Sequence, residues 1–198
     1  MEYEIRKLSE LEEEQVYQAT SICIDGLYNV FSMLSKDKVI LREIFKDSFQ
    51  YDMNYACLYE GEIAGFIGIG NSSIRPASDM KLETFEKYLG KNAGMIHKFT
   101  EPAFSKIRVD SDNVVEIEFL VTSPHFRGKG IATKLIEFVC DMPEYDYCVL
   151  DVYSKNPNAI RLYEKLGFRQ VKVKSEWILR LRGVGKTITM KLDIDRLK

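Results

Sequence analysis

The sequence predicts a mixed α/β fold built as a single domain over residues 1–198, and three observations predict it. Short runs with apolar residues at every second position alternate with segments whose apolar residues recur at helical spacing. No internal repeat, low-complexity tract or linker divides the chain. At 198 residues and 45% hydrophobic content, with eleven Phe and eleven Tyr, the chain is long enough to bury one sizeable core.

The elements follow in order. Tyr3-Glu-Ile-Arg-Lys-Leu8 alternates and is expected as an opening strand. Ser9, with Glu12 three residues on, has the form of a capping box, and Val16, Ala19, Ile22 and Cys23 give the following helix an apolar face. A second helix is expected over 38–49, through Val39, Ile40, Ile44 and Phe45. Tyr55-Ala-Cys-Leu-Tyr59 and Ile63-Ala-Gly-Phe-Ile-Gly-Ile69, joined by Glu-Gly-Glu, read as a hairpin. Residues 71–113 are polar and punctuated by Pro76, Gly90, Gly94 and Pro102, with one helix expected over 82–89. They form an inserted excursion, of a length that often carries function.

Val114-Val-Glu-Ile-Glu-Phe-Leu-Val121 is the strongest strand, with Glu116 and Glu118 on one face and Val115, Ile117, Phe119 and Val121 on the other. A loop, His125-Phe126-Arg127-Gly128-Lys129-Gly130, leads into a helix over 131–141. A strand over 147–152, a helix over 159–166 stopped by Gly167, and strands over 168–174 and 186–192 complete the order.

Composition bounds the partners. The 28 basic and 30 acidic residues nearly cancel to −2, whereas a general nucleic-acid binder carries a clear basic excess; no nucleic-acid partner is expected. No stretch approaches the ~20 apolar residues of a membrane span. The opening Met1-Glu-Tyr-Glu-Ile-Arg-Lys has no signal-peptide core. The expectation is a soluble, cytoplasmic protein with no membrane partner. Cys23, Cys57, Cys140 and Cys148 are scattered without a Cys-x-x-Cys pair, and His97 and His125 are the two histidines. That argues for reduced core thiols and no metal.

The loop after the strongest strand has the make-up of an anion site. Unpaired N–H groups and the macrodipole at a helix N-terminus favour a phosphate. Gly128 and Gly130 allow a tight turn, and Arg127, Lys129 and Lys134 add charge. Neither the Walker pattern nor Gly-x-Gly-x-x-Gly is satisfied, since Thr133 stands where the third glycine belongs. A second motif, Asn156-Pro-Asn-Ala-Ile-Arg-Leu-Tyr163-Glu-Lys-Leu-Gly-Phe168, follows.

Together, these two motifs resemble the GCN5-related N-acetyltransferase (GNAT) superfamily, with His125 standing where that family has Arg or Gln. The resemblance implies the GNAT fold, an α/β (α+β) arrangement with a central mixed, mostly antiparallel twisted sheet flanked by helices. It implies acetyl-CoA as cofactor, with the pantetheine arm along the backbone of Phe119, Leu120 and Val121. The pyrophosphate would lie on His125, Phe126, Arg127, Gly128, Lys129, Gly130, Ile131 and Ala132, with further cofactor contacts from Asn156 and Tyr163. Tyr163 matches the family's general acid, and Glu116 or Glu118 matches its strand carboxylate base. The plainer alternatives are ring packing for Tyr163, helix capping by Asn156 or Asn158, and a solvated strand face for both glutamates.

In the GNAT fold the acceptor pocket would be walled by residues 20–54 and 71–113. Tyr28, Phe31, Met33, Met95 and Phe99 would then supply apolar surface, and Asp25, Asp52 and Asp79 attraction for a cationic amine. His97 is a further candidate base. A small-molecule amine is the leading acceptor; a protein or peptide amine and a non-catalytic acyl-CoA-binding module are the alternatives. A homodimer rests on the resemblance alone.

Overall fold

A computed structural model describes residues 2–175 and 185–194. The alternating runs form β1 (Tyr3–Lys7), β2 (Asn54–Tyr59), β3 (Glu62–Gly70), β4 (Val114–Thr122), β5 (Tyr147–Tyr153), β6 (Arg169–Lys174) and β7 (Thr187–Asp193). They pair into one sheet in the order β1-β2-β3-β4-β5-β7-β6. β4 and β5 are parallel and the other neighbours antiparallel, the mixed, mostly antiparallel sheet that was expected. The β2–β3 turn has positive φ at both Glu60 (51°) and Gly61 (84°), the geometry that continues the twist of the flanking strands.

Helices cover the sheet according to their apolar stripes. α1 (Glu13–Gly26), α2 (Tyr28–Phe31), α3 (Lys38–Ser48), α4 (Leu82–Leu89) and α5 (Ala93–Ser105) contribute to a core on one face. α6 (Ile131–Cys140) and α7 (Pro157–Lys165) pack on the other. The first core is an aromatic cluster in which Phe31 lies 4.2 Å from Phe45 and 5.8 Å from Phe119, ring centre to ring centre. Each such fully buried side chain contributes about 1.5–3 kcal/mol. The four cysteines are buried free thiols. No described helix is long and apolar enough to cross a membrane.

Three local expectations are corrected. Ser9 does not cap α1: buried Leu8 draws 8–10 into a 3-10 turn, Ser9 donates to Asp52, and Gln15 Oε1 accepts from the Glu12 backbone N–H. The excursion holds a second helix, α5, despite Gly94 and Pro102, because Ala93, Ile96 and Phe104 pack into the aromatic core and outweigh the breakers. β4 does not keep one apolar face. Gly68 pairs with Phe119 and Ile69 with Ile117, so the register skips Glu118 as at a β-bulge. Val115 and Ile117 consequently face α6 and α7, whereas Phe119 joins the opposite, aromatic core.

The bulge also seats a buried ion pair. Glu118 and Arg75 are bonded through both carboxylate oxygens, Nε at 2.6 Å from Oε1 and Nη2 on Oε2, with side chains 3% and 5% exposed. Arg75 Nη1 also donates to the carbonyls of Ala103 and Lys106, tying the end of the excursion to the sheet. Removing one partner of such a pair leaves the other's charge buried and uncompensated. Arg75→Met should therefore lower unfolding stability in urea by about 3–5 kcal/mol, while Arg75→Met with Glu118→Met should recover most of the loss. A loss under about 1 kcal/mol in the single variant would make the pair energetically incidental.

Candidate active site

The site begins where two strands part. β4 and β5 pair from Val114–Tyr147 to Ile117–Leu150, yet β4 runs on to Thr122 and β5 to Tyr153. Beyond Ile117 the β4 edge that faces β5 therefore has no strand partner among the described residues, while the other edge stays paired with β3. Phe119, Leu120 and Val121 lie along this fork. The Phe119 side chain is in the aromatic core, Leu120 leans on the α6–α7 side and Val121 is buried, which leaves their backbone as the part available to a ligand.

At the mouth of the fork the chain makes a 3-10 turn over Pro124–Phe126 and enters α6. Gly128 and Gly130 have φ of 77° and 80°, a region costly to residues bearing a Cβ, and Gly130 is the N-cap. No described side chain caps α6, and Ile131, Ala132 and Thr133 of its first turn line a depression of about 240 Å³. Phe126, Arg127, Gly128, Gly130, Ile131 and Ala132 line it; the Ile131 side chain itself is in the core. His125 and Lys129 are exposed, and the Lys134 ammonium is paired with Glu137 at 2.8 Å. The loop is fastened by Tyr3, whose hydroxyl donates to the Lys129 carbonyl at 2.7 Å, and by Phe126 packing on Tyr59.

On the sheet face opposite α6 and α7 lies a larger cleft of about 660 Å³, between β4–β7 and the end of the excursion. Glu116 is in its floor, one residue before the fork. Its carboxylate is 3.2 Å from Arg108, which also pairs with Asp151, and Asp151 accepts from the Thr189 hydroxyl at 2.6 Å. Burial pushes the Glu116 carboxyl up to about 7; Glu118 adds to the rise, while Arg108 and Arg75 oppose it. The expected pair of strand glutamates is thus on one face, but neither is solvated. Glu118 has both oxygens engaged by Arg75, and Glu116 keeps a poised, lightly held carboxylate.

Tyr163 is on the other face, in α7, 8% exposed and with its ring 5.8 Å from Phe168. Burial raises its phenol to about 12, and its hydroxyl has no hydrogen-bond partner among the described residues. Asn156, not Asn158, caps α7, accepting from the Ala159 N–H at 3.2 Å. His97 is tied to the Met80 carbonyl at 2.7 Å and packs on Phe85.

None of the apolar and acidic side chains named for the acceptor wall lines the cleft, and neither does any residue of 20–54. Phe31 is in the core, and Met33, Met95 and Phe99 are exposed elsewhere. Asp25 and Asp79 pair with Lys38 and Lys81, and Asp52 accepts from Ser9. The excursion does contribute, through Arg75, Pro102, Ala103 and residues 106–110. Sequence reasoning missed Arg75, Arg108 and Asp151, because the Arg75–Glu118 and Arg108–Asp151 pairs each join residues 43 positions apart, which no local pattern encodes.

The profile of the acetyltransferase (GNAT) family matches residues 27–168. The chain belongs to that family. Among curated GNAT-like relatives it is 42% identical to N-acetylaspartate synthetase of Danio rerio over 66 residues, 31% of this chain and 23% of that protein. It is 29% identical to glucosamine 6-phosphate N-acetyltransferase of Trypanosoma brucei brucei over 80 residues, 40% of this chain and 52% of the relative. The matches thus span about half or less of those proteins. The GNAT fold is shared with an N-acetyltransferase from Staphylococcus aureus Mu50, at 17% identity and a TM-score of 0.65, over 96% of this chain and all of the other.

The Glu116 environment makes a measurable demand. Its folded value, about 7, lies above the ordinary 4.5, so the folded protein binds the extra proton between those limits and its stability falls as pH rises through them. Carboxyl-resolved NMR should give a Glu116 midpoint near 7, and Glu116→Gln should flatten the stability profile between pH 5 and 7. A midpoint near 4.5 would contradict the burial seen here.

Proposed function

We propose that the protein transfers an acetyl group from acetyl-CoA to the primary amine of a small molecule, by direct attack of the amine with both substrates bound. The observation that carries this is Glu116: a carboxylate poised near neutrality, in a cleft of about 660 Å³, beside the open β4–β5 fork. The names of both curated relatives describe acetylation of small amines, aspartate in one and glucosamine 6-phosphate in the other.

The residues present fit acetyl-CoA. The bare β4 edge at Phe119, Leu120 and Val121 offers backbone groups to an amide-bearing pantetheine arm. The α6 N-terminus, with Arg127, Gly128 and Gly130, offers N–H groups and positive charge to a pyrophosphate, and His125 and Lys129 are exposed on the same loop. Asn156 stands at the end of α7 with its side chain already used as the cap, so its contact with the cofactor would be additional. Bound acetyl-CoA supplies an activated acetyl thioester.

The chain's own groups do the rest. Glu116 takes the proton from the acceptor's ammonium; a base with a value near the working pH is half ionised and still strong enough to do so. Glu118 holds Arg75 and is not available for that proton. A backbone N–H near Leu120 or Val121 polarises the acetyl carbonyl. Tyr163, protonated up to about pH 12, holds the proton that the leaving sulfur needs.

The test is a calorimetric titration with acetyl-CoA, followed by thiol release over a panel of small amines and peptides. Binding with turnover of small amines supports the reading; turnover of peptides alone, or binding without turnover of any amine, defeats it. Glu116→Gln should lower kcat by roughly 100-fold or more, with acetyl-CoA affinity retained, and remove the limb of the pH–rate profile near 7. Tyr163→Phe should lower kcat with little effect on acetyl-CoA binding, and an unchanged kcat removes Tyr163 from the mechanism. Gly128→Val, which strains φ at 77°, should weaken acetyl-CoA binding, and wild-type affinity would mean the phosphate loop lies elsewhere.

A further inference from the structure

One wall of the larger cleft is not used by the proton transfers above. Lys172 and Lys174, two residues apart on β6, present the same strand face to it, and Thr189 and Lys191 of β7 lie beside them. Lys106 and Arg108 enter from the end of the excursion. Six basic residues line the cleft, Arg75, Lys106, Arg108, Lys172, Lys174 and Lys191, against three acids, in a chain of net charge −2.

The pairing within the cleft sharpens the imbalance. Arg75 is neutralised by Glu118, and Arg108 is shared by Glu116 and Asp151. Lys191 rests over the Tyr147 ring, 3.5 Å from its centre. Lys106, Lys172 and Lys174 have no ion-pair partner among the described residues, and Asp110 is the one acid of the lining outside the Arg108 network. The register adds a second cost, since Arg169 stands directly opposite Lys191 on β7. Like charges opposed on neighbouring strands destabilise a sheet unless an anion settles between or near them. The sheet face below is open as well: every described residue of β6 is exposed.

We propose that the acceptor amine carries an anionic group, a carboxylate or a phosphate, received by Lys172 and Lys174 with Lys106 facing them, while its amine reaches Glu116. The cleft volume of about 660 Å³ suits one small molecule that carries both ends. The cations select the acceptor and Glu116 activates it. This inverts the charge expected from Asp25, Asp52 and Asp79, none of which lines the cleft. The inference rests on the reading of Glu116 as the base.

The experiment compares matched acceptors in the thiol-release assay: amino acids against their amides, and aminoalkyl phosphates against the corresponding amino alcohols. The anionic member of at least one series should have a kcat/KM roughly tenfold or more above its neutral partner, and the favoured series tells carboxylate from phosphate. Lys172→Ala with Lys174→Ala should raise KM for that acceptor roughly tenfold or more while acetyl-CoA affinity by calorimetry stays that of the unaltered protein. Lys172→Arg with Lys174→Arg should restore KM, which a merely structural role would not predict. Lys106→Ala, on the opposite wall, should shift KM in the same direction independently of β6. Equal use of the neutral partners, or an unmoved KM in the alanine variants, overturns the anionic acceptor and leaves the acetyltransferase reading standing. A protein that binds acetyl-CoA and acetylates no member of either series, nor any other amine, overturns both.

Discussion

A polypeptide cannot bury bare backbone donors and acceptors without cost, and β4 and β5 set that problem by parting after Ile117–Leu150. Two parallel strands normally close on each other along their length. Here the register skips Glu118, β4 bends, and its last residues keep only their β3 partners. The rest of the site follows from this parting. The α6 N-terminus stands at the mouth of the open edge, and Glu116 lies one residue before the strands separate.

The bulge has an electrostatic counterpart. Glu116 and Glu118 share one face of a strand, and the charge of Glu118 adds to the rise of the Glu116 carboxyl. The fold treats them differently. Arg75 takes Glu118 with two parallel bonds and is itself held by two carbonyls of the excursion, so that charge is fixed. Arg108 approaches Glu116 at 3.2 Å and divides its attention with Asp151. A doubly bonded acid and a more loosely paired one thus arise on the same strand, separated by what each arginine is anchored to.

The legible part of the fold is the part written in local periodicity. The β2–β3 hairpin, the helix over 82–89 and the order of elements around the glycine loop could be read because turn chemistry and spacing determine them. The strand β4 was legible as a strand and not as a bulged one: alternation assumes an unbroken pleat, and the residue that breaks it, Glu118, looks like its neighbour Glu116. α5 was hidden by Gly94 and Pro102, whose local preference loses to packing. Of the candidate site, the loop, the two glutamates and Tyr163 were singled out from the sequence and the resemblance it carries. The arginines and the β6 lysines were not, since their partners and positions depend on tertiary closure alone.

The bond from the Tyr3 hydroxyl to the Lys129 carbonyl joins residues 126 positions apart. Contacts of such separation are slow to form, since the loop that they close costs entropy before any contact repays it. β1 pairs with β2 at the far edge of the sheet, and only then can Tyr3 reach across to the glycine loop. The turn beside the depression at the α6 N-terminus is therefore braced from the first strand of the chain. The brace depends on the β1–β2 pairing: a molecule whose first strand has frayed loses the Tyr3 bond and keeps only the packing of Phe126 on Tyr59.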